Sequence, residues 1–129
     1  MKTILVDAVN CFVSERGEIN TALYQLLESF DNPKIIVTNA PDEMIPVFGL
    51  DQVPYPVFSL QKNPAKTDPK YFHTLLEEQS LDVDNVVYFE HSPEAVESAV
   101  TVGIATHWYN HTQPDLEALK VFLDTHLSQ

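Results

Sequence analysis

Asp7 ends the apolar run Ile4-Leu5-Val6, and Thr38-Asn39 ends a second such run. Lys66 follows a third, and Glu90-His91 closes a fourth. A carboxylate, a hydroxyl beside an amide, an ammonium and a second acid are the parts of a phosphoryl-transfer site. Asp7 could attack phosphorus and form an aspartyl phosphate. Thr38, backbone N–H groups and Lys66 could hold the non-bridging oxygens and offset their charge. A Mg²⁺ ion held by Asp7 and Glu90 would relieve the repulsion between nucleophile and substrate. Each residue also has a plainer reading. Asp7 alone is a loop-starting acid, Thr38-Asn39 a turn, and Glu90-His91 a cap for the next helix. Lys66 alone is a solvated loop lysine, and Lys62 is its rival for the same role.

The elements that must bring these residues together are short apolar strands alternating with amphipathic helices. Thr3–Asp7, Lys34–Thr38, Pro56–Leu60, Asn85–Glu90 and Ile104–Trp108 read as strands, rich in Val, Ile and aromatics. Four are nearly continuous apolar runs, the habit of parallel strands covered on both faces. Helical spacing links Ile19, Leu23, Leu26, Leu27 and Phe30, then Phe72, Leu75 and Leu76, then Leu116, Leu119, Leu123 and Leu127. Asp68-Pro69 and Ser92-Pro93 read as N-caps followed by proline at the first helical position, and Gly103 as a helix stop. Met44 to Leu50 reads as a short helix interrupted by Pro46. Such alternation predicts an open α/β sheet, mostly parallel, with right-handed crossovers. Sheets of this kind place their sites beyond the carboxyl ends of the strands, where Asp7, Thr38, Asn39, Lys66 and Glu90 fall.

The remaining composition narrows the classes. A chain of 129 residues with 44% apolar content fits one domain with a sizeable core, over residues 1–129. Nineteen acidic residues against seven basic ones give a formal charge of −12, which disfavours nucleic acids and anionic membranes as partners. No apolar run is long enough to be a signal-peptide core or to span a bilayer, and one cysteine, Cys11, fits a reducing compartment, so the expectation is cytoplasmic. His107 and His111 lie four apart around a strand end with no third ligand in view, which argues against zinc. Trp108 and Tyr109 read as core or edge residues, and Cys11 as a small loop or core residue.

Four segments carry a resemblance to the haloacid dehalogenase (HAD) superfamily of phosphohydrolases. Ile4-Leu5-Val6-Asp7-Ala8-Val9-Asn10-Cys11 resembles the nucleophile motif. Ile35-Ile36-Val37-Thr38-Asn39 resembles the second motif, an apolar strand ending in a hydroxyl residue. Lys66-Thr67-Asp68-Pro69, with Tyr71 and Phe72 after it, is similar to the lysine motif. Val86-Val87-Tyr88-Phe89-Glu90-His91-Ser92-Pro93, running on to Ala99 and Gly103, resembles the fourth. The resemblance implies a Rossmann-like sheet of five parallel strands in the order 3-2-1-4-5, flanked by helices. It implies Asp7 as nucleophile, Thr38, Asn39 and Lys66 as phosphate-binding residues, and Asp7, the Val9 carbonyl, Glu90 and His91 around Mg²⁺.

The departures point the other way. The resemblance puts a second aspartate, the general acid/base, where Val9 stands. Losing such a group typically costs roughly 10²–10⁴ in rate. Asn10 and Cys11 replace the usual Gly and Thr, and His91 stands in place of a metal-binding aspartate. Imidazole is a poor ligand for Mg²⁺ and a better one for Zn²⁺ or Mn²⁺. The intervals that hold a cap domain in small-molecule members hold only helices and loops here. Two functions follow as expectations: a weak or specialised phosphohydrolase for phosphomonoesters or acyl phosphates, or a pseudo-phosphatase acting as a binding or regulatory module. The partner is then a phosphorylated small molecule or an exposed phosphate on a larger molecule. The sequence does not fix an oligomeric state.

Overall fold

A computed structural model describes residues 1–128. Its strands are β1 (Thr3–Asp7), β2 (Lys34–Thr38), β3 (Val57–Ser59), β4 (Val86–Glu90) and β5 (Ala105–Trp108), all parallel, in the order β3-β2-β1-β4-β5. Helices α1 (Thr21–Glu28), α2 (Lys70–Glu78), α3 (Pro93–Val102) and α4 (Leu116–Leu127) cover the two faces. This is the predicted sheet and the predicted strand order.

Strand alternation explains how one sheet feeds two cores. Ile4, Val6, Val87 and Phe89 face one way, into a core with Leu23 and Leu27 of α1 and Leu119 and Leu123 of α4. Leu5, Val37 and Tyr88 face the other way, onto Tyr71, Phe72 and Leu75 of α2 and Ala99 of α3. Asp7 is two residues beyond Leu5, and Glu90 two beyond Tyr88. Both acids therefore share the α2–α3 face, and the β1–β4 register of Val6 with Phe89 brings them side by side one step later. Truncating one of these sealed aliphatic residues, such as Leu5 to Ala, would cost about 2–5 kcal/mol.

The helix ends largely follow their sequence signals. Ser92 caps α3 with Pro93 in the first turn, and Gly103 stops it in the left-handed region at φ 102°. Asp68 differs from the expectation: α2 begins after Pro69, and the Asp68 carboxylate accepts from the Lys70 N–H at 3.0 Å. Ile19 also lies outside its helix, which starts at Thr21 after Asn20 as cap, and Phe30 lies beyond its end. The predicted strands Pro56–Leu60, Asn85–Glu90 and Ile104–Trp108 each shorten at one or both ends. The segment 44–50 is not a helix. A short 3₁₀ turn, Asp42–Met44, leads into consecutive turns, because Pro46 has no N–H to continue a ladder.

Two loops close over the carboxyl edge of the sheet. The β1–α1 loop doubles back through bridges of Val13 with Val9 and Ile19. It meets the β2–β3 loop where Gly17 and Gly49, both at positive φ, touch backbone to backbone. A Cβ on Gly49 would lie 2.8 Å from the Gly17 carbonyl oxygen. Among the described residues, no helix is long and apolar enough to cross a membrane.

Candidate active site

At the carboxyl ends of the strands the predicted residues converge. Asp7 from β1 is 2% exposed, Glu90 from β4 1%, and Lys66, from the loop before α2, 4%. The Lys66 ammonium donates to Asp7 Oδ1 at 2.7 Å and to Glu90 Oε1 at 2.9 Å. Its position is set from β2: the Lys66 backbone N–H donates to Asn39 Oδ1 at 2.9 Å. The Thr38 hydroxyl accepts from the Ala40 N–H at 3.1 Å, and its carbonyl accepts from the Tyr71 hydroxyl at 2.8 Å. Lys66, not Lys62, is thus the buried cation. Lys62 is exposed and lines the cleft above.

His91 completes the cluster. Its backbone N–H donates to Asp7 Oδ2 at 3.1 Å, and its ring Nδ1 lies in close contact with the same oxygen. Nδ1 is also 3.1 Å from Glu90 Oε2, which accepts the Ser92 N–H at 3.1 Å. The Tyr88 hydroxyl donates a short hydrogen bond to Glu90 Oε1. All four oxygens of the two buried carboxylates are therefore engaged by protein donors.

No protein-family model matches the sequence, and no curated protein matches it. Solved structures do match its backbone. A HAD-family enzyme of Bacteroides thetaiotaomicron, an aspartate-to-alanine mutant in complex with magnesium and inorganic phosphate, superposes with TM-score 0.68 at 12% identity. The match covers 92% of this chain and 98% of that one. The core domain of a candidate phosphoglycolate phosphatase from Streptococcus pneumoniae gives TM-score 0.60 at 16% identity, over 94% of both chains. A haloacid dehalogenase-like protein of unknown function from Agrobacterium tumefaciens gives 0.64 at 15%, over 88% of this chain and 86% of that one.

The chain shares the fold of these HAD-family structures.

Electrostatics at these strand ends are set by one compact group of charges. Burial alone would raise the Asp7 carboxyl, but the Lys66 ammonium and the His91 hydrogen bond outweigh it and hold Asp7 well below the usual carboxylate range. Burial alone would likewise lower Lys66, and the Asp7 and Glu90 carboxylates overcome it and push the ammonium upward. Hydrogen bonds to Asp7 and then Glu90 raise His91 from 6.5 to about 10, against a smaller desolvation effect. The two acids thus face the Lys66 ammonium and the His91 ring in one compact quartet.

The HAD neighbour with magnesium invites a test of whether these residues fit that ion. Mg²⁺ asks for near-octahedral oxygen donors at about 2.0–2.1 Å. Here every carboxylate oxygen already accepts from protein, and a ring nitrogen lies between the two acids. The donor set expected from the sequence, Asp7, the Val9 carbonyl, Glu90 and His91, thus forms an internal ion-pair cluster and does not fit Mg²⁺. Among the described residues a softer trio, Asp7, Cys11 and His91, has donor atoms within 4.8 Å of one another. Its imidazole is the one already bound to the carboxylates, and burial followed by the Asp7 charge pushes the Cys11 thiol well up, away from thiolate.

Above the quartet lies a cleft of about 550 Å³. Asp7, Thr38, Asn39 and Lys66 form its polar floor, while Val9, Met44, Phe48 and Ala95 give it an apolar wall. Sequence reasoning missed three contributors. Tyr88 sits two residues before Glu90, and strand alternation could have placed it under the acid. Trp108, 49% exposed at the sheet edge, donates its indole N–H to the His91 carbonyl at 2.8 Å; only the β4–β5 register brings it there. His111 stacks edge-on against His91 with ring centroids 5.0 Å apart, while His107 packs on Phe122, so the two do not form the pair their spacing allows.

Proposed function

We propose that this chain is a HAD-like pseudo-phosphatase: a module that takes an anionic, phosphate-bearing group at the carboxyl edge of its sheet and does not turn it over. The observation that carries this reading is the engagement of both Asp7 oxygens. A nucleophilic carboxylate must approach phosphorus along an open line at about 3–3.5 Å. Oδ1 of Asp7 is held by Lys66, and Oδ2 by the backbone and ring of His91. The general acid/base that would protonate a leaving group and activate water is absent at Val9.

The cleft retains what ligand binding needs. Thr38, Asn39 and Lys62 line it as polar groups, and Met44 and Phe48 offer contact to an apolar body. A phosphorylated small molecule with an apolar part, or an exposed phosphate on a larger partner, suits such a lining. The charge of −12 disfavours nucleic acids and anionic membranes in that role.

One observation favours a second reading. Asp7, Thr38, Asn39 and Lys66 line one cleft at the strand ends, as a phosphohydrolase using an Asp7 aspartyl phosphate requires. A substrate with a good leaving group, such as an acyl or aryl phosphate, would suffer least from the missing acid, and the His91 ring would have to swing away. Phosphate release from a phosphomonoester and acyl-phosphate panel with Mg²⁺, comparing wild type with Asp7→Asn, separates the two. The module reading expects equal backgrounds, with ligand binding detected by calorimetry. Release that disappears in Asp7→Asn supports the hydrolase.

A further inference from the structure

We infer that the imidazole ring of His91 fills the place a divalent cation would take between Asp7 and Glu90, so that the cleft is a metal-independent site. The geometry is specific. Nδ1 contacts Asp7 Oδ2 and lies 3.1 Å from Glu90 Oε2. A divalent ion joining the two acids from the cleft side would need those same two oxygens, since Oδ1 and Oε1 are both on Lys66.

The ring is held rather than merely accommodated. The His91 N–H donates to Asp7 at 3.1 Å, its carbonyl accepts the Trp108 indole N–H at 2.8 Å, and the His111 ring meets it edge-on. Three separate elements thus hold His91: the end of β1 meets both its backbone and its ring, the end of β5 its backbone, and the loop that follows β5 its ring. Two buried carboxylates need compensation, because an unpaired buried charge is strongly destabilising. Lys66 donates to Oδ1 and Oε1, and the His91 ring lies against Oδ2 and Oε2. An ion entering here would have to break contacts that already satisfy the acids. It shares the His91–Asp7 contact with the reading of function but concerns occupancy of the space between two acids with no ligand present, so Mg²⁺ binding tests it separately from phosphate release.

The test is calorimetric titration of MgCl₂ into wild type, His91→Asp and Val9→Asp, without phosphate. Wild type should show no saturable binding. His91→Asp, which exchanges the ring for an oxygen donor, should gain saturable Mg²⁺ binding and thermal stability with the ion. Val9→Asp, which adds an acid but keeps the ring, should behave as wild type. Saturable Mg²⁺ binding by wild type that is lost in Asp7→Asn would overturn the inference, as would a gain in Val9→Asp equal to that in His91→Asp. A folded His91→Asp protein with no gain would overturn it too. So would saturable Zn²⁺ binding lost in Cys11→Ser, because the ring would then be a metal ligand. Should His91→Asp not fold, ¹⁵N-histidine NMR of wild type decides: His91 ring resonances unmoved by millimolar Mg²⁺ support the inference, and saturable shifts overturn it.

Discussion

The ring nitrogen of His91 lies against Oδ2 of Asp7 while the backbone N–H of the same histidine donates to that oxygen at 3.1 Å. One residue thereby grips the candidate nucleophile twice, from a position directly after the strand that carries Glu90. The consequences are measurable.

Lys66→Met should be among the most destabilising single changes in the chain. It leaves Asp7 and Glu90 buried side by side without their shared ammonium, and breaking a buried pair costs about 3–5 kcal/mol. Lys62→Met, at the exposed rival, should change stability by less than roughly 0.5 kcal/mol. Urea denaturation of the two variants checks the contrast.

Stability should fall on the alkaline side of neutrality. His91 is raised from 6.5 to about 10 in the folded state, so its contribution is fully present below pH 6.5 and is lost as pH rises through about 10. Asp7 is shifted the other way. Its contribution is present above its ordinary value of 3.8 and disappears only in stronger acid. Thermal melts from pH 4 to 10 should show a plateau up to about 6.5 and then a decline. His91→Asn should flatten that decline.

How much of this could be read in the residues depends on whether a role is local. Asp7, Thr38 and Glu90 are legible because apolar strands end on them and parallel sheets gather strand ends at one edge. Lys66 is legible as one of few cations in an acidic chain, but the choice over Lys62 rests on the Asn39 hydrogen bond across the loop. The grip of His91 on Asp7 joins residues 84 apart in sequence, and the Trp108 contact needs the register of an edge strand. Neither leaves a local signal. The stretch after Met44 misled for an opposite reason: its apolar residues suggest a helix, and Pro46 prevents one.

Trp108→Phe should leave the fold intact, since the indole is half exposed, and cost about 0.5–1.5 kcal/mol for the lost hydrogen bond. Its particular effect should be on His91. The ring ¹⁵N resonances of His91 should move in Trp108→Phe, while those of His126, in the last turn of α4, stay in place.

Gly49→Ala should destabilise out of proportion to its single methyl. The residue sits at φ +66°, and the added Cβ would come within 2.8 Å of the Gly17 carbonyl oxygen. A cost of about 1–3 kcal/mol is expected, visible as a lower melting temperature.

The most direct test of a closed Asp7 is intact and peptide mass spectrometry after incubation with an acyl phosphate and Mg²⁺. With Val9 in place of a general base, water would be activated poorly, and any aspartyl phosphate formed would persist long enough to be seen. Unmodified protein, indistinguishable from Asp7→Asn, is the expected result. A phosphoryl adduct on the peptide containing Asp7, absent from Asp7→Asn, would contradict it and make this site a working nucleophile.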